Sequence, residues 1–385
     1  MTMHIPVAYE ILRVIWWLFL GVLLIGLAIM DGFDLGVATL LPFVARTDTE
    51  RRITINTIGP VWDGNQVWLI LGGGAIFAAF PQIYAASFSG FYIAMFLVLV
   101  TLILRPGGFE FRNKIADPRW RAFWDYALFA GGLVPSLVFG VAFGNLLQGV
   151  PFRIDSDLRI FYEGSGLFEL LNPFGLLCGL VSLAMLTTHG AVYLTVKAER
   201  PVSERAATYV RYGALATVVL FILAGIWVAF GVKGYAIDGT VATDGPSNPL
   251  LKTVTAASGQ WLVNYGTHKW MLLAPALGIV GPLLTLMMTA RRRAGLAFVA
   301  SAVGIFGIIS TAGVSMFPFL MPSNVRPQAS LTVWDATSSQ MTLFVMLLAT
   351  LIFLPIVVIY TGIAYRIMRG PVTAKQIENN SMHLY

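Results

Sequence analysis

Charged residues are scarce in this sequence of 385 residues, where Asp, Glu, Lys and Arg together make up 11%. Soluble chains carry roughly 25% charged residues. Hydrophobic residues reach 57%, which excludes a soluble globular protein and also a disordered chain. The apolar runs are long and unbroken, unlike the short alternating segments of a membrane barrel. The composition therefore predicts an all-α, polytopic membrane protein.

Cysteine is almost absent and histidine is rare. Cys178 is the single cysteine, which excludes an intrachain disulfide and a cysteine-ligated metal site. Of the four histidines, His189 and His268 lie near opposite ends of their apolar runs, separated by about 25–30 Å of bilayer, and do not ligate one haem together. His4 and His383 lie outside the runs. We interpret His189 and His268 as hydrogen-bonded and predict no metal or cofactor in this chain; a haem on one histidine is the alternative.

The apolar runs predict about nine transmembrane helices, because one helical crossing needs about 20 apolar residues. We predict that residues 1–385 form a single integral membrane domain. The helices are predicted near 9–41, 57–80, 83–104, 122–146, 167–196, 206–231, 262–290, 294–317 and 339–365.

The positions of Lys and Arg predict the orientation. With an odd number of crossings, most of the 25 basic residues fall on one side, in the segments 42–56, 105–121, 197–211 and 291–293 and in the tail after 365. The positive-inside rule assigns that side to the cytoplasm, so the N-terminus is predicted outside and the C-terminus in the cytoplasm. The same rule explains the formal net charge of +6, and no nucleic-acid partner is predicted.

Two carboxylates lie inside the first apolar run. Asp31 and Asp34 are three positions apart, so both lie on one helix face. A charge at the bilayer centre costs at least about 2.5–3.5 kcal/mol, which makes these residues functional candidates. The alternative is structural: the acids pair with an arginine and hold helices together. Arg105, at the cytoplasmic end of the third run, is the candidate partner.

A third carboxylate, Asp63, lies in a polar stretch of the second run. It follows Gly59–Pro60, which interrupts a helix, and lies roughly 15 Å from the cytoplasmic edge if the helix is continuous from Arg51. Desolvation and a polar notch suit a carboxylate that takes up and releases protons. Asn65 and Gln66 can hold water beside it. We favour proton handling over a structural ion pair for Asp63.

Several long motifs resemble one known family, subunit II of cytochrome bd ubiquinol oxidase, including its cyanide-insensitive members. The resemblance extends from about residue 8 to the C-terminus. The matching stretches are DGFDLG at 31–36, ERR at 50–52, WDGNQVW at 62–68, FSGFY at 88–92, GVAFGNLLQGVPF at 140–152, LLNPFG at 170–175, MFPFLMPS at 316–323 and SLTVWDATSSQ at 330–340.

The resemblance implies a fold and an assembly. It implies two four-helix bundles plus one peripheral helix, packed against a related subunit I. In the family, subunit I carries two haems b and one haem d and oxidises quinol, and a small single-helix subunit is often present. The complex reduces oxygen to water in the bacterial inner membrane. Membrane lipid is a further expected neighbour.

The resemblance also implies roles for particular residues. The acid of the WDGNQ motif belongs to a cytoplasmic proton route, which maps to Asp63. The second acid of DGFD and the arginine that ends the third helix matter for haem assembly, which maps to Asp34 and Arg105. With quinol oxidised near the outer face and protons taken from inside, turnover is electrogenic without a pump.

A proton-coupled secondary transporter is a second hypothesis from a different class. It shares buried carboxylates and helices interrupted by glycine or proline. It predicts activity without a partner subunit. The absence of a recognisable inverted repeat in the sequence counts against it.

Overall fold

The fold is almost entirely helical. The computed structural model describes residues 5–164 and 166–379. In chain order, the helices are α1 Tyr9–Val44, α2 Asp48–Ile58, α3 Trp62–Ala79, α4 Pro81–Gly90, α5 Tyr92–Phe111, α6 Pro118–Gln148, α7 Leu167–Leu170, α8 Pro173–Lys197, α9 Val202–Phe230, α10 Val263–Thr267, α11 Leu273–Ala290, α12 Ala294–Met316, α13 Gln340–Ile367 and α14 Ala374–Asn379.

Small antiparallel sheets lie in the loops that the charge pattern places outside. Each sheet joins two strands that are neighbours in the sequence, and the longest pair aligns Lys233 with Ser258 and Asp238 with Thr253. These pairs fold the loops back onto the helix ends. The strands are β1 Phe152–Ile154 with β2 Ile160–Tyr162, β3 Lys233–Asp238 with β4 Thr253–Ser258, and β5 Phe319–Met321 with β6 Leu331–Thr332.

Eight helices within the described residues are long and apolar enough to cross a membrane: α1, α5, α6, α8, α9, α11 with the turn before it, α12 and α13. The prediction of a polytopic helical membrane protein is confirmed. Helix α3 spans 18 residues and begins with polar side chains, which lowers its hydropathy. The count of about nine crossings, the two four-helix bundles, the peripheral helix and the orientation of the termini stay predictions.

Proline and glycine divide three of the predicted runs. The run near 57–80 is not one helix, because α2 ends just before Gly59–Pro60 and α3 begins after it. The run near 83–104 is divided between α4 and α5, and the run near 167–196 between α7 and α8. Proline has no backbone N–H and suits the first turn of a helix, as Pro173 does in α8.

Helix α1 lies among α3, α6 and α8, and glycines allow its closest contacts. A Cβ on Gly36 would overlap the backbone of Leu186 and Gly190, and a Cβ on Gly190 would overlap the backbone of Gly36. Gly132 of α6 lies equally close to the backbone of Leu35. Small residues let membrane helices approach in this way, and they hold the middle of α1 between α6 and α8.

Helix α13 lies at the edge of the molecule. It contacts α1 and α3, and Leu343 is its single buried residue. The segment that follows α13 is anchored to the end of α8, where Lys197 Nζ donates to the carbonyl oxygens of Met368 at 2.6 Å and Gly370 at 2.9 Å. On the far side of α1, helices α8, α9, α11 and α12 pack together.

Candidate functional site

The two acids of α1 and the arginine of α5 meet in the protein interior. Arg105 Nη1 donates to Asp31 Oδ1 at 2.9 Å and to Oδ2 at 3.2 Å. Arg105 Nη2 lies 3.8 Å from Asp34 Oδ2. The exposed fraction is 0% for Arg105 and Asp34 and 1% for Asp31. The structure therefore brings together the three residues that the sequence analysis selected, in the arrangement expected from the ion-pair interpretation.

The charges of this cluster do not balance. One guanidinium faces two carboxylates, so the cluster holds either one proton or one excess negative charge. Among the described residues, Asp34 Oδ1, Arg105 Nε and Arg105 Nη2 have no hydrogen-bond partner. A buried, incompletely paired cluster of this kind is costly, and costly polar groups inside membrane proteins are typical of functional sites.

Asn65 connects the cluster to helix α3. Its Nδ2 donates to Asp34 Oδ2 at 2.8 Å, and its Oδ1 accepts from the Tyr365 hydroxyl of α13 at 2.6 Å. Asn65 was a predicted site residue, although the sequence suggested a partnership with Asp63. Tyr365 was missed, because a contact across 300 residues leaves no spacing signal in the sequence.

Asp63 lies apart from the buried cluster. It lies in the first turn of α3 and is exposed, with no hydrogen bond or ion pair to the rest of the described chain. A helix N-terminus favours a negative charge, so this position suits an ionised carboxylate. The predicted depth of roughly 15 Å assumed one continuous helix from Arg51, and the break at 59–61 removes that assumption. Gln66, in the next turn, is partly buried.

His189 is fully buried on α8, and both of its ring nitrogens have partners. Nε2 lies 3.0 Å from the carbonyl oxygen of Ile29, and Nδ1 lies 3.0 Å from Ser301 Oγ. Because a carbonyl oxygen only accepts, Nε2 carries the proton and Nδ1 accepts from the serine. The ring also stacks on Phe298 at 4.5 Å. This arrangement favours the hydrogen-bonded interpretation of His189 over an axial haem ligand.

Of the other three histidines, one lies within the described residues. His268 is exposed at the end of α10, while His4 and His383 lie outside the described residues. No group of three or more His, Cys, Asp or Glu side chains in the described ranges could hold a metal ion. Both ring nitrogens of the buried His189 are already engaged, which leaves neither free for a haem iron.

Comparison with known proteins decides the family. A profile of the family "Cytochrome bd terminal oxidase subunit II" matches residues 12–368. The chain belongs to this family. It is therefore a subunit of a terminal oxidase, which is an oxidoreductase, as the sequence motifs predicted. Membership also implies a partner subunit and haems in the complex.

Relatives match over nearly the whole chain. "Cytochrome bd-I ubiquinol oxidase subunit 2" of Escherichia coli K12 is 52% identical over 98% of this chain and 99% of its own length. "Probable cytochrome oxidase subunit 2" of Haemophilus influenzae is 51% identical over the same shares. A chain in the solved bd oxidase of Geobacillus thermodenitrificans has 18% identity and a TM-score of 0.68, covering 92% of this chain and 98% of that one, and shows the shared fold.

A second ion-pair network of this bd subunit lies at the predicted cytoplasmic side. Asp125 of α6 binds Arg112 Nε at 2.6 Å and Arg51 Nη1 at 2.8 Å. Glu50 of α2 accepts from Arg205 Nη1 at 2.6 Å, and hydrogen bonds from Arg205 hold the pKa of Glu50 below its ordinary value. These pairs join α2 to α5, α6 and α9, and so fix the segment that leads to Asp63.

A buried ion pair of this family member lies in the predicted outer loops. Lys252 Nζ lies 2.8 Å from Asp335 Oδ2, and both side chains are buried. Burial lowers the pKa of Lys252 from its ordinary value, although the Asp335 carboxylate opposes the shift. The sequence analysis missed this pair, because 83 residues separate its members and neither lies in an apolar run.

Proposed function

We propose that this chain is subunit II of a bacterial cytochrome bd-type quinol oxidase, which couples quinol oxidation to the reduction of oxygen to water in the inner membrane. The observation that carries the proposal is the match to relatives such as the Escherichia coli ubiquinol oxidase subunit over 98% of the chain. The same match favours this function over the proton-coupled transporter.

The chain acts as a scaffold for a haem-bearing subunit I, which holds two haems b and one haem d. The buried cluster of Asp31, Asp34 and Arg105 supports this role, because its ion pairs tie α1 to α5. Lipid chains cannot replace these partners, since a charge in the membrane interior is costly without one. A small single-helix subunit, quinol and lipid complete the assembly. This chain itself carries no haem in the proposal.

The chain also supplies a cytoplasmic proton route that begins at Asp63. The support is geometric: the carboxylate is exposed, lies at the N-terminus of α3 and has no partner within the described ranges. Such a group can exchange protons with water. The same turn carries Asn65, whose amide contacts the buried Asp34.

The proton route makes turnover electrogenic. Reduction of one O2 to two H2O consumes four electrons and four protons. When quinol releases protons near the outer face and the route takes protons from the cytoplasm, charge crosses the membrane without a pump. Each charge moved is worth about 2.3 kcal/mol per 100 mV.

Purification of the chain in mild detergent tests the assignment to a complex. We expect a large partner subunit to co-purify, with haem b and haem d bands in the reduced-minus-oxidised spectrum. A colourless chain that is stable without a partner and catalyses uptake in proteoliposomes would contradict the proposal and favour a transporter.

Substitution of Asp63 tests the proton route. In the purified complex, Asp63→Asn should slow quinol-driven oxygen uptake on the order of tenfold or more, because a positioned proton-transfer group is lost. Asp244→Asn, in an outer loop and also exposed, is the matched control and should behave as wild type. Unchanged turnover of Asp63→Asn with an intact haem spectrum would remove the role of Asp63 while leaving the subunit assignment in place.

A further inference from the structure

The Tyr365 hydroxyl joins an otherwise weakly packed helix to the buried cluster. It donates to Asn65 Oδ1 at 2.6 Å. Helix α13 buries a single residue, Leu343, and that residue lies at the opposite end of the helix. Near its other end, the Tyr365 ring packs against buried core side chains and its hydroxyl adds a directed polar link.

The carboxylate and the hydroxyl on either side of Asn65 account for the orientation of its amide. The amide oxygen only accepts and the amide nitrogen only donates. Because the Asp34 carboxylate oxygen accepts, Nδ2 faces Asp34 Oδ2, to which it donates at 2.8 Å. The Tyr365 hydroxyl, which can donate or accept, then donates to Oδ1 and holds the amide from the other side. A flipped amide would place its oxygen against the Asp34 carboxylate and its NH2 group against the tyrosine hydroxyl.

The same link reaches the helix turn that carries Asp63. Asn65 is two residues beyond Asp63 in the sequence and is 2% exposed, whereas Asp63 is exposed. Asn65 is therefore the residue of this turn that faces inward. A tyrosine that holds the Asn65 side chain also limits how this turn can move.

We propose that Tyr365 is a positioning residue of the proton route, which acts by holding the Asn65 amide between the turn of Asp63 and the buried Asp34. The inference rests on the proposed function of Asp63. Tyr365 itself contacts neither quinol nor oxygen in this scheme. The titratable or charged groups that face Asp34 are Asp31 on α1, Arg105 on α5, Tyr193 on α8 and Tyr365 on α13.

The test is Tyr365→Phe in the complete oxidase complex, because this change removes one oxygen atom and keeps the ring. Tyr360→Phe is the matched control, since Tyr360 lies on the same helix, is 72% exposed and has no polar contact among the described residues. Both variants should keep wild-type haem content. Tyr365→Phe should lower kcat for oxygen uptake about two- to tenfold, with the KM for quinol unchanged.

Two readouts separate positioning from a merely structural role. The pH profile of kcat should shift by about half to one pH unit in Tyr365→Phe, and the solvent deuterium isotope effect should rise, because proton delivery becomes more rate-limiting. The double variant Tyr365→Phe/Asn65→Ala should be no slower than Asn65→Ala alone, since Tyr365 acts through Asn65.

Three results would overturn the inference: a Tyr365→Phe complex with wild-type rate and pH profile, loss of haem in Tyr365→Phe, or additive effects in the double variant. The Asp63→Asn variant separates this inference from the proposed function. If Asp63→Asn is slow and Tyr365→Phe is not, the positioning role alone is wrong. If Asp63→Asn turns over as wild type, the proton route itself is wrong.

Discussion

At the scale of single residues, Arg105 is the one cation of the described ranges that is paired with the two buried acids of α1. Its guanidinium is fully buried and lies between two carboxylates of α1. Removing one partner of a buried ion pair leaves an uncompensated charge and costs about 3–5 kcal/mol. The surrounding apolar side chains cannot replace this interaction, so the cluster depends on the arginine.

Substitution of Arg105 should therefore impair assembly more than turnover. We expect Arg105→Gln to lower the free energy of unfolding by about 3–5 kcal/mol. The yield of haem-containing complex and the thermal unfolding temperature should fall as a result. Arg291→Gln, at an exposed position after α11, should change neither. Normal yield and thermal stability of the Arg105→Gln complex would show that the cluster does not hold the subunit together.

The sequence predicted some of these residues and not others. Asp31, Asp34 and Arg105 could be selected because a charge in an apolar run is costly and needs a nearby partner. Tyr365 could not, since a tyrosine in an apolar helix is ordinary and its contact spans 300 residues. The buried pair of Lys252 and Asp335 was also hidden, because both residues lie in loops, where charge is expected.

At the scale of helices, α2 is held by charge at its N-terminus and by buried isoleucines in its second half. Its N-terminus carries a capping box formed by Thr47 and Glu50, and the Glu50 carboxylate also accepts from both terminal nitrogens of Arg205 on α9. Arg205 further donates to the carbonyl oxygen of Val44 at the end of α1. Three helices thus meet at one carboxylate.

This junction should weaken in acid. The pKa of Glu50 is lowered in the folded protein, so its stabilising effect is present above the ordinary glutamate pKa and is lost as the pH falls through the lowered value. At pH 7, Glu50→Gln should lower the free energy of unfolding by about 1–2 kcal/mol. The reason is that Gln can still complete the capping box but carries no charge to pair with Arg205. The difference in unfolding temperature between wild type and variant should shrink below about pH 4.

An exposed pair provides the control for Glu50. Glu204 pairs with Arg200 at 3.2 Å, with side-chain exposures of 61% and 73%. Such surface pairs contribute little, so Glu204→Gln should leave the unfolding temperature unchanged at every pH. A Glu50→Gln difference that stays constant from pH 7 to pH 3 would contradict the ion-pair explanation.

The contact of α1 with α8 gives a prediction about packing. Gly190→Ala should destabilise the subunit by about 1–3 kcal/mol, because the added methyl group meets the rigid backbone of Gly36. Gly225→Ala is the matched control, since Gly225 of α9 has open space around it. It should be neutral or stabilising by up to about 1 kcal/mol. Thermal unfolding in detergent measures both, and equal effects would rule out the close contact as the cause.

At the scale of the whole molecule, composition predicted the helical membrane class but not every break in the helices. The long apolar runs locate α1, α6, α12 and α13 well, since hydropathy alone defines them. The break before α3 was indicated by Gly59–Pro60. The break between α4 and α5 was missed, because apolar sequence continues through it and the backbone geometry there depends on neighbouring helices. Side-chain contacts between helices far apart in the sequence, such as that of Tyr365 with Asn65, also depend on how the helices pack and leave no local sequence signal.

The position of α13 has a consequence for biosynthesis. This helix follows the other membrane-length helices in the sequence, so the ribosome delivers it after them. Until then, the Asn65 amide lacks its tyrosine partner and is held by Asp34 alone. The hydrogen bonds that run from Tyr365 through Asn65 to Asp34 are therefore completed only late in translation, once α13 has been inserted beside α1 and α3.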